Sequence, residues 1–110
     1  MTTTPIQSCS PQEVSQMLSD GEEVQLLDVR EPWEYDYCRI PGSRLIPFGI
    51  LPLRKDELDR NKPVVIICHH GNRSYHACRF LASQGFQNLI NLAGGIDQWS
   101  KTVDRTVPTY

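Results

Sequence analysis

Short runs of apolar residues alternate along the chain with segments whose apolar residues recur at helical spacing. Apolar runs of this length predict strands, and helical spacing predicts amphipathic helices. The predicted strands cover residues 6–9, 24–29, 44–47, 64–67 and 89–92. Helices are predicted over residues 11–19, 50–58 (interrupted near Pro52), 74–84 and 96–101, with a short helix near Pro32. Strands that alternate with helices are typical of α/β domains, so we expect a small parallel sheet of four or five strands with helices on both faces.

Capping residues set the bounds of the predicted helices. Ser10-Pro11-Gln12-Glu13 fits a capping box with proline at the first helical position. Val14, Met17 and Leu18 then share one face of the helix, which we expect to be buried. Gly85 follows residues 74–84, at the position where glycine commonly ends a helix.

The turn after the fourth predicted strand carries the candidate chemistry. Val64–Ile67 runs into Cys68, a short polar loop follows, and Ser74 opens a predicted helix. In parallel α/β sheets, ligand sites lie at the carboxyl ends of the strands. Free N–H groups at a helix N-terminus bind anions, and a loop curled around a sulfur can point several N–H groups at it. Gly71 supplies the positive φ that such a curl usually needs.

Positive charge close to Cys68 favours its thiolate. Arg73, and His69 or His70 when protonated, lie within five residues of the cysteine in sequence. A thiol in such a setting is expected to be nucleophilic near neutral pH. The alternative is that Cys68 is a buried core cysteine that ends a strand.

Length and composition indicate an ordinary globular chain. We expect one domain over residues 1–110, with a core of about 6–101 and an extended tail over 102–110. Hydrophobic residues make up 39% of the chain, charged residues 22%, and the formal net charge is −2. This balance suggests no nucleic-acid or membrane-surface role, and no apolar run approaches transmembrane length. No heptad pattern or long apolar edge indicates an oligomer, so oligomeric state stays open.

The cysteines and the N-terminal residues bear on the compartment. Residues 1–7 lack the basic and apolar regions of a secretory signal, so we expect a cytoplasmic protein. The four cysteines form no C-x-x-C pair and are expected to be free thiols. Cys78 should lie on the buried face of its helix. Cys9 and Cys38 are candidates for exposed thiols. Cys38 is also a candidate to accept sulfur or to form a disulfide under oxidation.

Three sequence blocks, taken together, resemble the rhodanese family and its single-domain sulfurtransferases. They are LLDVREPWEY (26–35) with RIPGS (39–43), CHHGNRS (68–74) and NLAGGIDQW (91–99). The resemblance implies a single rhodanese-like α/β domain. One departure is Cys38-Arg39, which stands where a Gly-His pair often precedes Ile-Pro-Gly in the family.

The resemblance also implies a mechanism. Cys68 would take the outer sulfur of a small anionic donor, thiosulfate or a persulfide, and pass it from a Cys68 persulfide to a thiol, cyanide or protein acceptor. No cofactor and no metal are implied. The donor would be bound by the loop residues His69, His70, Gly71, Asn72, Arg73 and Ser74. Either histidine could equally be a solvent-facing loop residue.

Two supporting residues lie at the end of the neighbouring strand. Asp28 is expected either to hydrogen-bond the active-site loop or to have a structural role, in which it binds Arg30 or a turn. The structural role is favoured. Arg30 and Glu34 stand at helical spacing, which predicts an ion pair between them.

Three alternative functions remain. Related phosphatases use a loop one residue longer than C-x-x-x-x-R, so the loop from Cys68 to Arg73 argues against phosphate chemistry. A zinc site is a second alternative; its candidate ligands are Cys68, His69, His70, His76 and Cys78. His76 and Cys78 should point to nearly opposite sides of their helix, which argues against it. The third is a non-catalytic binding or sulfide-sensing module, and a sulfur relay to a partner protein is compatible with the enzyme.

Overall fold

Five parallel strands form one sheet in the computed structural model, which describes residues 6–110. The strands are β1 (Ile6–Cys9), β2 (Gln25–Asp28), β3 (Arg44–Leu45), β4 (Val64–Ile67) and β5 (Leu89–Leu92). Their order across the sheet is β1-β5-β4-β2-β3, and every neighbouring pair is parallel. The predicted α/β class and the upper strand count are confirmed. β4 lies at the centre, so the turn that follows it lies in the middle of the carboxyl edge.

Helices cover both faces of this sheet. They are α1 (Pro11–Ser19), α2 (Pro32–Tyr37), α3 (Leu51–Arg54), α4 (Asn72–Ser83) and α5 (Gly95–Thr102). β4 is buried throughout, and its alternate residues enter two separate apolar clusters. Val64 and Ile66 lie in the cluster with residues of α3 and α4, whereas Val65 and Ile67 lie in the cluster with residues of α1 and α5. Period-two alternation in a strand buried on both sides produces this division.

The capping box of α1 is present as predicted. The Glu13 N–H donates to Ser10 Oγ at 3.1 Å, and the Ser10 N–H donates to Glu13 Oε1 at 2.9 Å. Val14 is buried and Met17 packs against the same cluster. The prediction for Leu18 is wrong, because 37% of this side chain is exposed. The buried residues of α1 are Pro11 and Val14, so its apolar stripe is narrower than the sequence spacing indicated.

The predicted helix over residues 50–58 is broken into short turns. A 3₁₀ turn at Phe48–Ile50 leads into α3, and a second one at Lys55–Glu57 follows it. The backbone leaves helical geometry at Ile50 and at Arg54, on either side of Pro52. The predicted interruption near Pro52 is confirmed, and the missing N–H of this proline accounts for the break that precedes α3.

The tail beyond α5 is not extended, contrary to the prediction. The Asp104 N–H bonds the Trp99 carbonyl at 3.1 Å, and the Val107 N–H bonds the Asp104 carbonyl at 3.2 Å. Ser100 Oγ donates to the carbonyl of Val107, whose side chain is buried. Burial of Val107 beside Trp99 folds the tail back against the domain. Among the described residues, none of the helices combines the length and hydropathy that crossing a bilayer requires.

Candidate active site

Cys68 lies in the turn between β4 and α4, as predicted. Its side chain is 1% exposed. α4 begins at Asn72, two residues earlier than expected, and its N-cap is Gly71 with φ +106°. This left-handed conformation is open to glycine at little cost and lets the chain turn from strand into helix within four residues.

Within the described part of the chain, the sulfur of Cys68 has two hydrogen-bonding neighbours. The Gly71 N–H donates to Sγ at 3.0 Å, and Sγ lies 3.2 Å from Ser74 Oγ. Ser74 is fully buried and its hydroxyl donates to Oδ1 of Asn91, whose Nδ2 donates back to the Gly71 carbonyl at 3.1 Å. Gly71, Ser74 and Asn91 therefore hold the loop around the sulfur as one hydrogen-bonded ring. The sequence predicted several backbone N–H groups directed at the sulfur. Among the described residues, that of Gly71 makes such a bond.

Backbone groups at the start of α5 hydrogen-bond the loop that follows β4. The Ile96 N–H donates to the Cys68 carbonyl at 2.8 Å, and the Asp97 N–H donates to the His69 carbonyl at 3.1 Å. A Cβ at Gly95, where φ is +62°, would lie 2.3 Å from the His69 carbonyl oxygen and 2.5 Å from that of Cys68. The close approach of the two backbones therefore requires glycine at this position. Sequence reasoning identified a tight turn here but missed the contact with the loop.

Arg73 forms a bidentate ion pair with Glu34 rather than standing free beside the cysteine. Its Nη1 and Nη2 atoms lie 2.8 and 2.9 Å from the two carboxylate oxygens. Hydrogen bonds from Arg73 lower the pKa of Glu34 to about 2, and the Glu34 carboxylate raises the pKa of Arg73. The Arg73 side chain remains 39% exposed, whereas that of Glu34 is 5% exposed. More than a third of the Arg73 side chain thus faces solvent while Glu34 fixes its guanidinium.

The predicted ion pair between Arg30 and Glu34 is wrong. Arg30 binds Asp28 instead, with 2.7 Å between Nη2 and Oδ2, and both side chains are fully buried. Arg30 reaches Glu34 only at its backbone carbonyl, at 3.3 Å. Helical spacing does not apply to this pair, because α2 begins at Pro32. Of the two roles left open for Asp28, the structure shows the bond to Arg30.

Tyr110, which no sequence pattern singled out, reaches this ion-pair network. Its hydroxyl oxygen accepts from Arg30 Nη1 at 2.9 Å and donates to Glu34 Oε2 at 2.6 Å. Its ring stacks on that of His69, with centroids 3.9 Å apart and planes 6° apart. The apolar Val103 and Val107 within a largely polar tail were the signals that this segment folds back.

His69 and His70 lie against each other at the mouth of the loop. Their ring centroids are 3.9 Å apart, and His70 is exposed whereas His69 is half-buried. Burial, and then the neighbouring His70, lower the pKa of His69. Its Nε2 atom is buried and has no hydrogen-bond partner among residues 6–110. Asn72 is exposed at the start of α4.

The alternative zinc set is not assembled within residues 6–110. His69 and His70 come together with Asp97, and one ligand atom from each lies within 4.8 Å of the others. The Asp97 carboxylate is already paired with Lys101 at 3.0 Å. His76 is exposed and Cys78 is fully buried, so these two diverge as predicted.

The expected exposure of Cys9 and Cys38 is wrong. Both side chains are buried in the apolar cluster that contains residues of α1 and α5. Cys9 is the last residue of β1, and the Sγ atom of Cys38 lies 3.8 Å from the Arg30 Nη1 atom. Neither thiol is placed to accept sulfur from a partner. Cys78 is buried as expected, and burial raises its pKa to about 12.

Comparison with known proteins identifies the class. A model of the rhodanese-like domain matches residues 10–102. A sulfurtransferase of Allochromatium vinosum is 41% identical over 88 residues, which are 80% of this chain and 82% of that protein. The thiosulfate sulfurtransferase GlpE of Pseudoalteromonas translucida is 31% identical over 82% of this chain and 86% of its own. The crystal structure of a rhodanese-like domain protein from Staphylococcus aureus superposes with a TM-score of 0.83 at 27% identity, covering 94% of this chain and 98% of that one.

The chain therefore belongs to the rhodanese-like family, and its relatives named as sulfurtransferases support a rhodanese-type enzyme in general terms. Some other relatives are longer, and the chain spans 46%, 38% and 26% of the length of three of them.

Proposed function

We propose that the protein transfers sulfane sulfur from a small anionic donor to a thiophilic acceptor through a persulfide on Cys68. The observation that carries the proposal is the environment of the sulfur: a buried Sγ that accepts the Gly71 N–H, at the N-terminus of α4. That environment favours an anionic sulfur, because the amide dipole and the helix terminus both present positive charge to it.

With thiosulfate as the donor, the first half-reaction is a displacement at sulfur. The Cys68 thiolate attacks the outer sulfur, a new S–S bond forms, and sulfite leaves with the electron pair of the broken S–S bond. In the second half-reaction a cyanide or thiolate acceptor attacks the outer sulfur of the persulfide. Thiocyanate or a new persulfide forms, and the Cys68 thiolate is returned with the bonding pair.

Ser74 supports the thiolate in this proposal. In the thiol form, Sγ–H donates to Ser74 Oγ, and the serine hydroxyl donates to Asn91. When Cys68 loses its proton, rotation of the serine hydroxyl turns its O–H toward the sulfur. Hydrogen bonds to an ionised acceptor are stronger than neutral ones, so this exchange stabilises the thiolate.

Arg73 supplies the positive surface that a dianionic donor requires. Although Glu34 neutralises one side of the guanidinium, 39% of the arginine side chain still faces solvent. The thiosulfate named in the relative from Pseudoalteromonas favours that donor. Persulfides carry the same reactive sulfur and are the second donor class. The four free cysteines favour a reducing compartment, and we place the reaction in the cytoplasm.

Replacement of the nucleophile tests the proposal. Cys68→Ser should abolish thiocyanate formation from thiosulfate and cyanide, while circular dichroism and the thermal midpoint show a folded protein. Cys9→Ala is the matched control, since this buried cysteine lies at the end of an edge strand and should retain activity. Full activity in Cys68→Ser would reject the assignment of the nucleophile.

A further inference from the structure

We propose that Tyr110 is a positioning residue that fixes both Arg73 and His69 for capture of the sulfur donor. The inference rests on the proposed function for its effect on turnover, but the two contacts on which it is built are independent of that function. One is made by the hydroxyl group and the other by the face of the ring.

The hydroxyl acts on Arg73 through the Glu34 carboxylate. Oε1 accepts from Arg73 and from the Glu31 N–H at 3.0 Å, and Oε2 accepts from Arg73 and from Tyr110. With four donors around it, the carboxylate has one orientation, and the planar guanidinium follows that orientation because its bond is bidentate. Loss of the tyrosine donor leaves Arg73 as the remaining partner of Oε2 among the residues that the structure describes.

The direction of the bond through Tyr110 is determined by its neighbours. Arg30 is a donor only, so the phenol oxygen accepts from Arg30 and its proton points to Glu34. Burial, followed by the bond to Glu34, raises the pKa of Tyr110 to about 12, so the phenol remains a donor throughout the neutral range. Tyr110 thereby ties the Arg73 pair to Arg30 and Asp28, whose side chains are fully buried.

The ring of Tyr110 acts on His69. The two rings are stacked with nearly parallel planes, and Trp33 and Tyr37 meet the Tyr110 ring edge-on at 5.8 and 5.9 Å. His70 lies against His69 at a tilt of 52°. His69 is therefore held between an aromatic ring and a second imidazole, one residue after the cysteine.

The two contacts can be separated by substitution. Tyr110→Phe removes the hydroxyl and keeps the ring, so it should loosen Arg73 and leave His69 stacked. Tyr110→Ala removes both contacts. Tyr37→Phe is the matched control, because it deletes the hydroxyl of an exposed tyrosine in the same aromatic group.

Steady-state kinetics with thiosulfate and cyanide report on Arg73. For Tyr110→Phe we expect KM for thiosulfate to rise about fivefold, equivalent to about 1 kcal/mol, with kcat within about twofold of the wild type. Proton exchange of the Arg73 guanidinium with solvent, followed by NMR, should be faster in the same variant. Tyr37→Phe should match the wild type in both readings.

An NMR pH titration of the imidazole signals reports on His69. The groups that face its ring are Tyr110 and His70, with the charges of Asp97 and Glu34 nearby. In the wild type the His69 pKa should lie below 6.5, its ordinary value, because burial disfavours the charged ring. Tyr110→Ala should raise it toward the ordinary value, whereas Tyr110→Phe should leave it unchanged.

The proposal is overturned if Tyr110→Phe has wild-type KM and wild-type arginine exchange, or if Tyr110→Ala leaves the His69 pKa in place. If the wild-type protein does not turn over thiosulfate, the donor in the proposed function is wrong. In that case the arginine exchange rate and the His69 pKa still test the positioning role of Tyr110, since neither measurement requires catalysis.

Discussion

Neutralising Glu34 should lower the free energy of unfolding of the protein, by an amount that depends on pH. Glu34→Gln keeps the shape of the side chain but replaces the carboxylate that binds Arg73 and Tyr110. In the folded protein the pKa of Glu34 is lowered from 4.5 to about 2, chiefly by the hydrogen bonds from Arg73. A lowered carboxylate pKa stabilises the fold above pH 4.5, and the stabilisation is lost as the pH falls toward 2.

The size of the effect follows from the same pKa change. Lowering a carboxyl pKa from 4.5 to about 2 corresponds to about 3 kcal/mol of unfolding free energy at neutral pH. The Arg73 side chain is 39% exposed, and solvent screening of its charge reduces the expected value to about 1–2 kcal/mol. Glu34→Gln should lose that amount of unfolding free energy at pH 7, and its difference from the wild type should shrink to a small fraction as the pH falls toward 2.

Urea unfolding at a series of pH values from 7 to 2.5 measures this difference. Glu57→Gln is the control, because Glu57 also pairs with an arginine but lies in solvent. That variant should follow the wild type closely at every pH. A stability difference between wild type and Glu34→Gln that stays constant across the series would refute the linkage to the Glu34 carboxyl.

Two further substitutions probe the loop around the sulfur. Gly95→Ala should cost about 3 kcal/mol or more in urea unfolding, since its Cβ would meet two loop carbonyl oxygens at 2.3 and 2.5 Å and its φ is positive. Gly49→Ala, where a Cβ meets nothing within 4 Å, should stay within about 0.5 kcal/mol of the wild type. Ser74→Ala should lower kcat/KM for thiosulfate about tenfold, or about 1.4 kcal/mol, because the thiolate loses a donor. Ser83→Ala removes a hydroxyl at the exposed end of the same helix and should leave kcat/KM unchanged; equal losses in the two serine variants would contradict the role of Ser74.

The order of strands and helices was readable because each element carries its own local signal. The apolar run of β4, the capping box of Ser10 and Glu13, and the Gly71 turn all operate within a few residues. The position of Cys68 at the carboxyl edge follows from such signals together with the rule that parallel strands end at one edge. Three sequence blocks were enough to identify the family.

The ion pairs were not readable in the same way. Arg73 and Glu34 are 39 positions apart, and no local spacing connects them. Helical spacing predicted an ion pair between Arg30 and Glu34. Arg30 precedes the helix, however, and its side chain binds the nearer Asp28. Competition among several charges of each sign is settled by tertiary packing rather than by sequence distance.

The tail and the buried cysteines were missed for a related reason. Polar residues dominate positions 102–110, and the burial of Val107 depends on a cluster assembled from α1, α5 and the sheet. Tyr110 reaches Arg30 across 80 positions. Cys9 and Cys38 stand beside polar residues in sequence, yet the same cluster encloses both.

The central claim is that Cys68 carries the transferred sulfur, and intact mass measurement tests it most directly. The intact mass of the reduced protein is measured by mass spectrometry after incubation with thiosulfate and again after treatment with cyanide. The Cys68→Ser variant is measured in the same way. The account predicts a gain of about 32 Da, one sulfur atom, as a persulfide, which cyanide removes and which Cys68→Ser never acquires. A wild-type protein that gains no sulfur from thiosulfate or from a persulfide donor, or a Cys68→Ser variant that gains it equally, would contradict the account.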